Sequence, residues 1–287
     1  MNFREKLSLK KFIITVELDP PKSIDSNKIL KEVSGERFKK LVDAINVTDC
    51  PMARLRMSPI ALSHIIQEKL SLETIFHITC RDRNLLGLQA ELLGASMLGV
   101  ENILALTGDP PDMGFHTMAT GVYDVDSVGL VKMANNLNQG FDYTGDKLND
   151  HTDFFIGAAV NPTAVDLNKE VNKIRKKVSF GAHFIQTQPI FDLEKLENFL
   201  HLTSDINIPK IIGIMPLKSF KMVQYLEKNL PGIFIPQDLK ERMREKSVDE
   251  GVKIARELIN GIRKFDGISG IHVFPLKNMD LVIRLFE

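Results

Sequence analysis

Little in this sequence invites a disulfide, a membrane or a polyanion. Its 287 residues include two cysteines, Cys50 and Cys80, too few for a disulfide framework and compatible with a reducing compartment. No apolar run approaches the roughly 18 residues of a membrane span. The stretch from Met1 to Lys11 is polar and charged, unlike the apolar core of a secretory signal. Lys+Arg and Asp+Glu both number 37, so no global basic field draws the chain to nucleic acid or an anionic surface. The expected setting is the cytoplasm, and the expected partners are small molecules or proteins, with no nucleic acid and no membrane. Also missing are a G-x-G-x-x-G after a strand and any G-x-x-x-x-G-K-[ST], the phosphate-cradling fingerprints of nucleotide-binding open sheets. No linker or low-complexity tract divides the chain.

What is present is ordinary for a globular protein: 44% hydrophobic and 26% charged residues, enough to bury a sizeable core. Short apolar runs rich in Ile, Val and Phe occur at 12–17, 44–48, 74–79, 102–106, 154–160, 183–187, 210–215 and 270–274. Most lack polar alternation, as parallel strands buried on both faces do. Segments of helical period lie between them. Ser58-Pro59 places an N-cap before proline at N1 and leads into Ile60, Leu62, Ile65 and Ile66. A helix is expected over 85–98, stopped by Gly99, and another where Leu167, Val171, Ile174 and Val178 recur before Gly181. Ser247 with Glu250 reads as a capping box opening the last long helix. This alternation predicts an α/β fold, a single (β/α)8 TIM barrel over 1–287, in preference to a doubly wound sheet. Stretches 108–129 and 138–153 are turn-rich connections suited to bordering an active site.

Catalytic groups of such a barrel sit at the C-terminal ends of strands. The polar residues there are Glu17, Thr48-Asp49, His77, Thr79 to Asp82, Thr107 to Asp109, Asn161, Gln186, Gln188 and His272. Glu17 reads two ways: a partly desolvated carboxyl with a raised pKa, useful as a general acid, or a carboxylate paired with a lysine. Asp109 follows Gly108, which permits close approach of a ligand; its other reading is a turn residue before Pro110-Pro111. His77 falls within a strand, where a satisfied core histidine is the commoner finding. Lys173, Lys176 and Lys177 form either a solvated helix face or a reach toward a diphosphate at the rim. Cys50 and Cys80 lack C-x-x-C spacing, and no metal is expected.

Taken in order, several stretches resemble the methylenetetrahydrofolate reductase family from about Phe12 to Phe274. They are Val16-Glu17-Leu18-Asp19-Pro20-Pro21, Val47-Thr48, Phe76-His77-Ile78-Thr79-Cys80, Ala105 through Thr107-Gly108-Asp109 to Pro111, and Gly157 to Pro162. Gly181-Ala182, Thr187 to Asp192, Gly213 to Pro216 and Ser219-Phe220 complete the series. The resemblance implies a barrel that binds FAD without a dinucleotide-binding fold. It implies hydride transfer through FAD to 5,10-methylenetetrahydrofolate, giving 5-methyltetrahydrofolate. In that scheme Glu17 is the acid that protonates folate N10, and Asp109 steadies the resulting 5-iminium cation beside the flavin. Thr48, His77, Thr107, Gly108 and Asn161 line the flavin region with Asp109, while Glu170, Lys176 and Lys177 hold the FAD ribose and diphosphate. Gln188 hydrogen-bonds the pterin, and Phe220 stacks on folate. Thr107 stands where the family carries arginine, and Val160-Asn161 replaces a tyrosine before Pro162. Residues 48–51 and 79–84 resemble a bacterial branch that includes fusions to a homocysteine methyltransferase and acetogen forms with a separate partner subunit. That branch leaves open whether NAD(P)H or an electron-delivering partner is the donor, and whether the assembly is homo- or hetero-oligomeric. The residues without the resemblance also permit a flavin-free lyase or hydrolase using Glu17 and Asp109.

Overall fold

Eight apolar runs pair in sequence order and close on themselves. The computed structural model describes residues 1–230, 232–244 and 247–287. The strands are β1 (Ile13–Leu18), β2 (Ala44–Val47), β3 (Thr74–Thr79), β4 (Asn102–Leu106), β5 (Phe155–Val160), β6 (Phe184–Pro189), β7 (Lys210–Ile214) and β8 (Ile268–Val273). Each pairs in parallel with the next, and β8 returns to β1 with Thr15 beside His272. Outside them run α1 (Phe3–Ser8), α2 (Asn27–Val33), α3 (Glu36–Leu41), α4 (Pro59–Leu70), α5 (Leu85–Met97) and α6 (Ser127–Asn138). The second half carries α7 (Leu167–Ser179), α8 (Leu193–Leu202), α9 (Phe220–Asn229), α10 (Gln237–Met243), α11 (Val248–Ile262) and α12 (Asp280–Phe286). The expected barrel is therefore the observed one. Among the described residues no helix is long and apolar enough to cross a membrane.

The expected helix-end signals act in part: the Ser58 side chain makes no capping hydrogen bond, and Ser247 caps through Asp249 in place of the expected box with Glu250, whose N–H goes to the Ser247 carbonyl. Pro59 opens α4, Gly181 at φ +106° follows α7, and the Ser247 side chain accepts the Asp249 N–H at the start of α11. Strand β6 runs two residues past its apolar stretch, through a register shift between Gln186 and Pro189. A bulge of this kind re-aims side chains at a barrel rim.

Every second residue of a barrel strand faces the axis, and the inward residues change character with height. The lowest are Ile13, Ala44, Ile75, Leu104, Phe155, Phe184 and Ile211, which cluster with Phe3 and Leu7 of α1. Helix α1 is thus a plug across the barrel floor. Phe3 meets the Phe155 and Phe184 rings edge-on at 5.8 and 5.4 Å, the Asn2–Glu5 capping box sets the helix, and Lys6 pairs with Asp43 at 2.7 Å. On β8 the same level is Gly270, where a Cβ would fall 2.4 Å from the Ile13 carbonyl oxygen. Two residues higher the lining turns polar with Thr15, Asn46, His77, Gln186 and His272, all at most 5% exposed. Two higher again stand Glu17, Thr48, Thr79, Gly108 and Gln188, at the mouth.

Candidate active site

The polar middle layer is wired together beneath Glu17. The Thr15 hydroxyl lies 2.9 Å from His272 Nδ1, and His77 Nε2 lies 3.0 Å from Asn46 Oδ1. Burial pushes the His77 imidazole down to about 4, against the nearby Asp49 charge, and pushes His272 well below its ordinary value, helped by His77. Both rings are neutral at pH 7. Nε2 of His272 and Oε1 of Gln186 are buried with no partner, and an orphaned polar atom inside a protein costs about 1–3 kcal/mol unless something arrives to satisfy it.

Glu17 ends this column. Its carboxyl is pushed up to about 8, first by burial and then by the Asp19 and Asp109 charges. It is therefore protonated at neutral pH, and no described cation offsets those effects. The lysine-paired reading of Glu17 is not what the chain builds. Asp19 itself accepts a 3.0 Å hydrogen bond from the Thr48 hydroxyl, which ties the end of β2 to that of β1.

Asp109 belongs to a clamp between two loops. One of its oxygens, Oδ2, accepts the Met52 backbone N–H at 2.8 Å. The segment it holds is strained: Cys50, Met52 and Ala53 have φ of +43°, +55° and +51°. Left-handed backbone at such residues persists only where the surroundings over-determine it. Here they do. Arg81, 2% exposed, donates to the Cys50 and Asp109 carbonyls at 3.1 and 3.3 Å while paired with Asp82. Gly114 admits the Ala53 carbonyl, whose oxygen would lie 2.1 Å from any Cβ there. Asp49 is buried under this clamp, accepting from Thr79 N–H, Thr79 Oγ1 and Arg83 at 2.8–3.0 Å. Gly108, at φ +91°, would set a Cβ 3.0 Å from the Cβ atoms of Thr79 and Arg81, so the loop crosses β3 closely. Thr107 does not face the mouth freely: its hydroxyl accepts the Ser127 N–H at 3.3 Å, at the head of α6.

A cationic corner lies at β5. Lys177 is 3% exposed and donates to the Ala159 carbonyl at 2.9 Å. It forms no ion pair with a described residue. Burial, then Lys173, pushes its ammonium down to about 8 against the pull of Glu170 and Asp126. Burial likewise pushes the adjacent Cys80 thiol up to about 12, so it is inert at neutral pH. Glu170 accepts the Asn161 N–H at 3.0 Å, and Asn161 Oδ1 accepts from Thr163, so Asn161 organises its own loop. Lys176, one residue from Lys177, stands exposed on the last turn of α7. Gln188 is exposed at the rim of β6, and Phe220 opens α9 with the Arg244 guanidinium 5.7 Å from its ring. Sequence reasoning missed the structural roles of Arg81 and Asp19; a buried arginine beside an aspartate in a short loop was the available signal.

Beside Glu17 a cavity of about 630 Å³ opens between the β1–α2 and β8–α12 loops. Pro20, Pro21, Ile29 and Met279 give it apolar walls, and Lys22, Lys28, Arg56 and Lys277 bring charge to it.

Comparison with known proteins bears on this arrangement. Methylenetetrahydrofolate reductase 1 of Schizosaccharomyces pombe is 27% identical over 243 residues, covering 77% of this chain and 36% of its own length. The chain thus spans about a third of that yeast relative. 5,10-Methylenetetrahydrofolate reductase of Pectobacterium carotovorum is 24% identical over 281 residues, covering 93% of this chain and 87% of its own. A Clostridium thermocellum protein, described as binding two copies of 5-methyl-5,6,7,8-tetrahydrofolic acid, shares the fold with a TM-score of 0.68 at 17% identity, over 99% of this chain and 96% of that one. A family model described as methylenetetrahydrofolate reductase matches residues 2–287. With that match running through every strand of the barrel and the Glu17 and Asp109 loops at its mouth, the chain belongs to the methylenetetrahydrofolate reductase family.

Proposed function

We propose that this chain reduces 5,10-methylenetetrahydrofolate to 5-methyltetrahydrofolate by flavin-dependent hydride transfer, with Glu17 as general acid. The observation that carries the reading is the Glu17 carboxyl, held protonated to about pH 8 at the barrel mouth beside Asp109. A five-membered imidazolidine ring opens only when its departing nitrogen is protonated, and a carboxyl near this pKa both holds and yields a proton at neutral pH. Glu17 gives its proton to folate N10. The cation that results at N5 is stabilised by Asp109, whose carboxylate is fixed by the Met52 N–H. The neutral column of Thr15, His272, Asn46 and His77 keeps positive charge away from Glu17, which would otherwise lower its pKa. Gln188 and Phe220, on the β6 and β7 side, are the proposed pterin and aminobenzoyl contacts.

The residues at β2 to β5 fit FAD. Lys177 is a buried cation with one carbonyl partner, and burying an ammonium without counter-charge is unfavourable; a diphosphate supplies that charge. Lys177 and Glu170 would hold the diphosphate and ribose, with Thr48, His77, Gly108 and Asp109 toward the ring. Bound there, FAD supplies the hydride carrier between the donor and the folate one-carbon unit. The test is the visible spectrum of the purified protein, followed anaerobically during addition of NADH or NADPH and then of methylenetetrahydrofolate. A yellow protein bleached by the dinucleotide and recoloured by the folate is expected. Bleaching only with a protein donor would make a partner the electron source, and a colourless protein that takes up no flavin would overturn the reading.

A further inference from the structure

We propose that Arg81 is a positioning residue for the Asp109 carboxylate, setting through two backbone carbonyls the loop whose Met52 N–H fixes that group; its bearing on catalysis rests on the role of Asp109 proposed above. A ring of contacts joins the loops that follow β2, β3 and β4. Arg81 donates through Nη2 to the Cys50 carbonyl at 3.1 Å and through Nη1 to the Asp109 carbonyl at 3.3 Å. Two residues on from Cys50, the Met52 N–H returns to Asp109 Oδ2 at 2.8 Å. The Tyr123 hydroxyl braces the ring, donating to the same Asp109 carbonyl at 3.1 Å.

Asp82 aims the guanidinium. It accepts Nε at 2.9 Å and Nη2 at 2.7 Å as a planar fork, which turns the remaining N–H groups toward the two carbonyls. A lysine ammonium has no such fork. The ring holds backbone that would otherwise relax, since Cys50, Met52 and Ala53 are left-handed without being glycine. Relaxation at Met52 turns its N–H away from Asp109. Arg81 meets backbone oxygens and not the Asp109 carboxylate, and its own charge is answered by Asp82. It therefore orients Asp109 without neutralising the negative charge that acts on Glu17. At 2% exposure Arg81 works through Asp109 and not on a ligand.

Isotope-edited infrared titration of Glu17 in the whole protein, paired with the rate of the folate half-reaction, tests this. Arg81→Lys keeps the charge and loses the fork. It should move the Glu17 titration to lower pH, the direction of Asp109→Asn, and slow the folate half-reaction about tenfold. Added to Asp109→Asn it should produce no further shift. That comparison is specific to Asp109. Glu17 is also faced by Asp19, lies above the neutral His77 and His272, and shares its cavity with Lys22, Asp25, Lys28, Glu32, Arg56 and Lys277; a disturbance acting through any of these would persist without the Asp109 charge. Gly114→Ala displaces the Ala53 carbonyl with Arg81 intact and should reproduce both effects, so the inference does not hang on Arg81→Lys folding. A wild-type Glu17 titration in Arg81→Lys, or shifts that add in full to those of Asp109→Asn, would overturn the positioning role and leave the folate reading standing. The coupled Glu17 shift in a protein that turns over no methylenetetrahydrofolate would support the positioning of Asp109 and sink the folate reading.

Discussion

The floor and the mouth of this barrel are built from the same strands, four residues apart, and obey opposite rules. At the floor, Ile13, Phe155 and Phe184 pack against Phe3 of α1, with the Phe155 and Phe184 rings stacked at 5.2 Å. The cluster itself is apolar, with Lys6, Asp43 and His183 at its margin. At the mouth burial pushes the Glu17 carboxyl up to about 8 and the Lys177 ammonium down to about 8, and three residues of one loop, Cys50, Met52 and Ala53, sit in left-handed backbone. The contrast suggests that the floor supplies the stability that the mouth consumes, as expected where strain and desolvated charge serve a site.

The sharpest way to break that division is at Glu17. Glu17→Gln should keep flavin reduction by the donor and slow the folate half-reaction by about 10²–10⁴-fold, the usual worth of a positioned acid. Rapid-mixing spectroscopy of the two half-reactions separates these outcomes, and an unchanged folate rate would return Glu17 to structure. The mirror experiment is at the floor. Phe184→Ala should cost about 3–5 kcal/mol of stability, seen as a lower denaturation midpoint, while the pH dependence of the folate half-reaction stays where it was. Should that profile move, floor and mouth are coupled and the division fails.

Smaller effects sharpen the account of the mouth. Asp109→Asn removes a charge that steadies the cation and also helps hold the Glu17 proton. The folate half-reaction should slow about 100-fold. Its alkaline limb should shift to lower pH, because losing a neighbouring negative charge lowers the Glu17 pKa. Lys177→Met should weaken FAD about tenfold, about 1.4 kcal/mol, measured by flavin fluorescence. The same change should stabilise the flavin-free protein at neutral pH. With a folded pKa of about 8 against the ordinary lysine value of 10.5, the penalty on the charged form is complete below about pH 8 and fades toward pH 10.5. Thermal melts at pH 7 and pH 10 should therefore show the stabilisation at the lower pH only.

Much of the floor and the strand order was legible in the sequence, since uninterrupted runs such as Ile13–Val16 and Thr74–Thr79 are what doubly buried strands look like. The plug was harder to see. Phe3 and Leu7, one helical turn apart, mark an apolar stripe in a segment otherwise charged, and only closure of the barrel shows what they cover. Helices α2 and α3 are seven and six residues long, too short for periodicity to speak. At the mouth, strand-end position and motif order pointed to Glu17 and Asp109, but not to their environments. The Glu17 pKa depends first on burial and then on Asp19 and Asp109, the latter brought in from a loop 92 positions away in sequence. Lys176 and Lys177 illustrate the same limit: one residue is about 100° of helix rotation, which divides an exposed lysine from a buried one.

The central claim is that Glu17 carries its proton at neutral pH. Infrared difference spectroscopy of protein labelled with 13C at glutamate side-chain carboxyls, titrated between pH 5 and 10 with Glu17→Gln as the blank, measures this without turnover. A protonated carboxyl band that disappears near pH 8 and is absent from the variant is the predicted result. A Glu17 signal already ionised at pH 6 would contradict it.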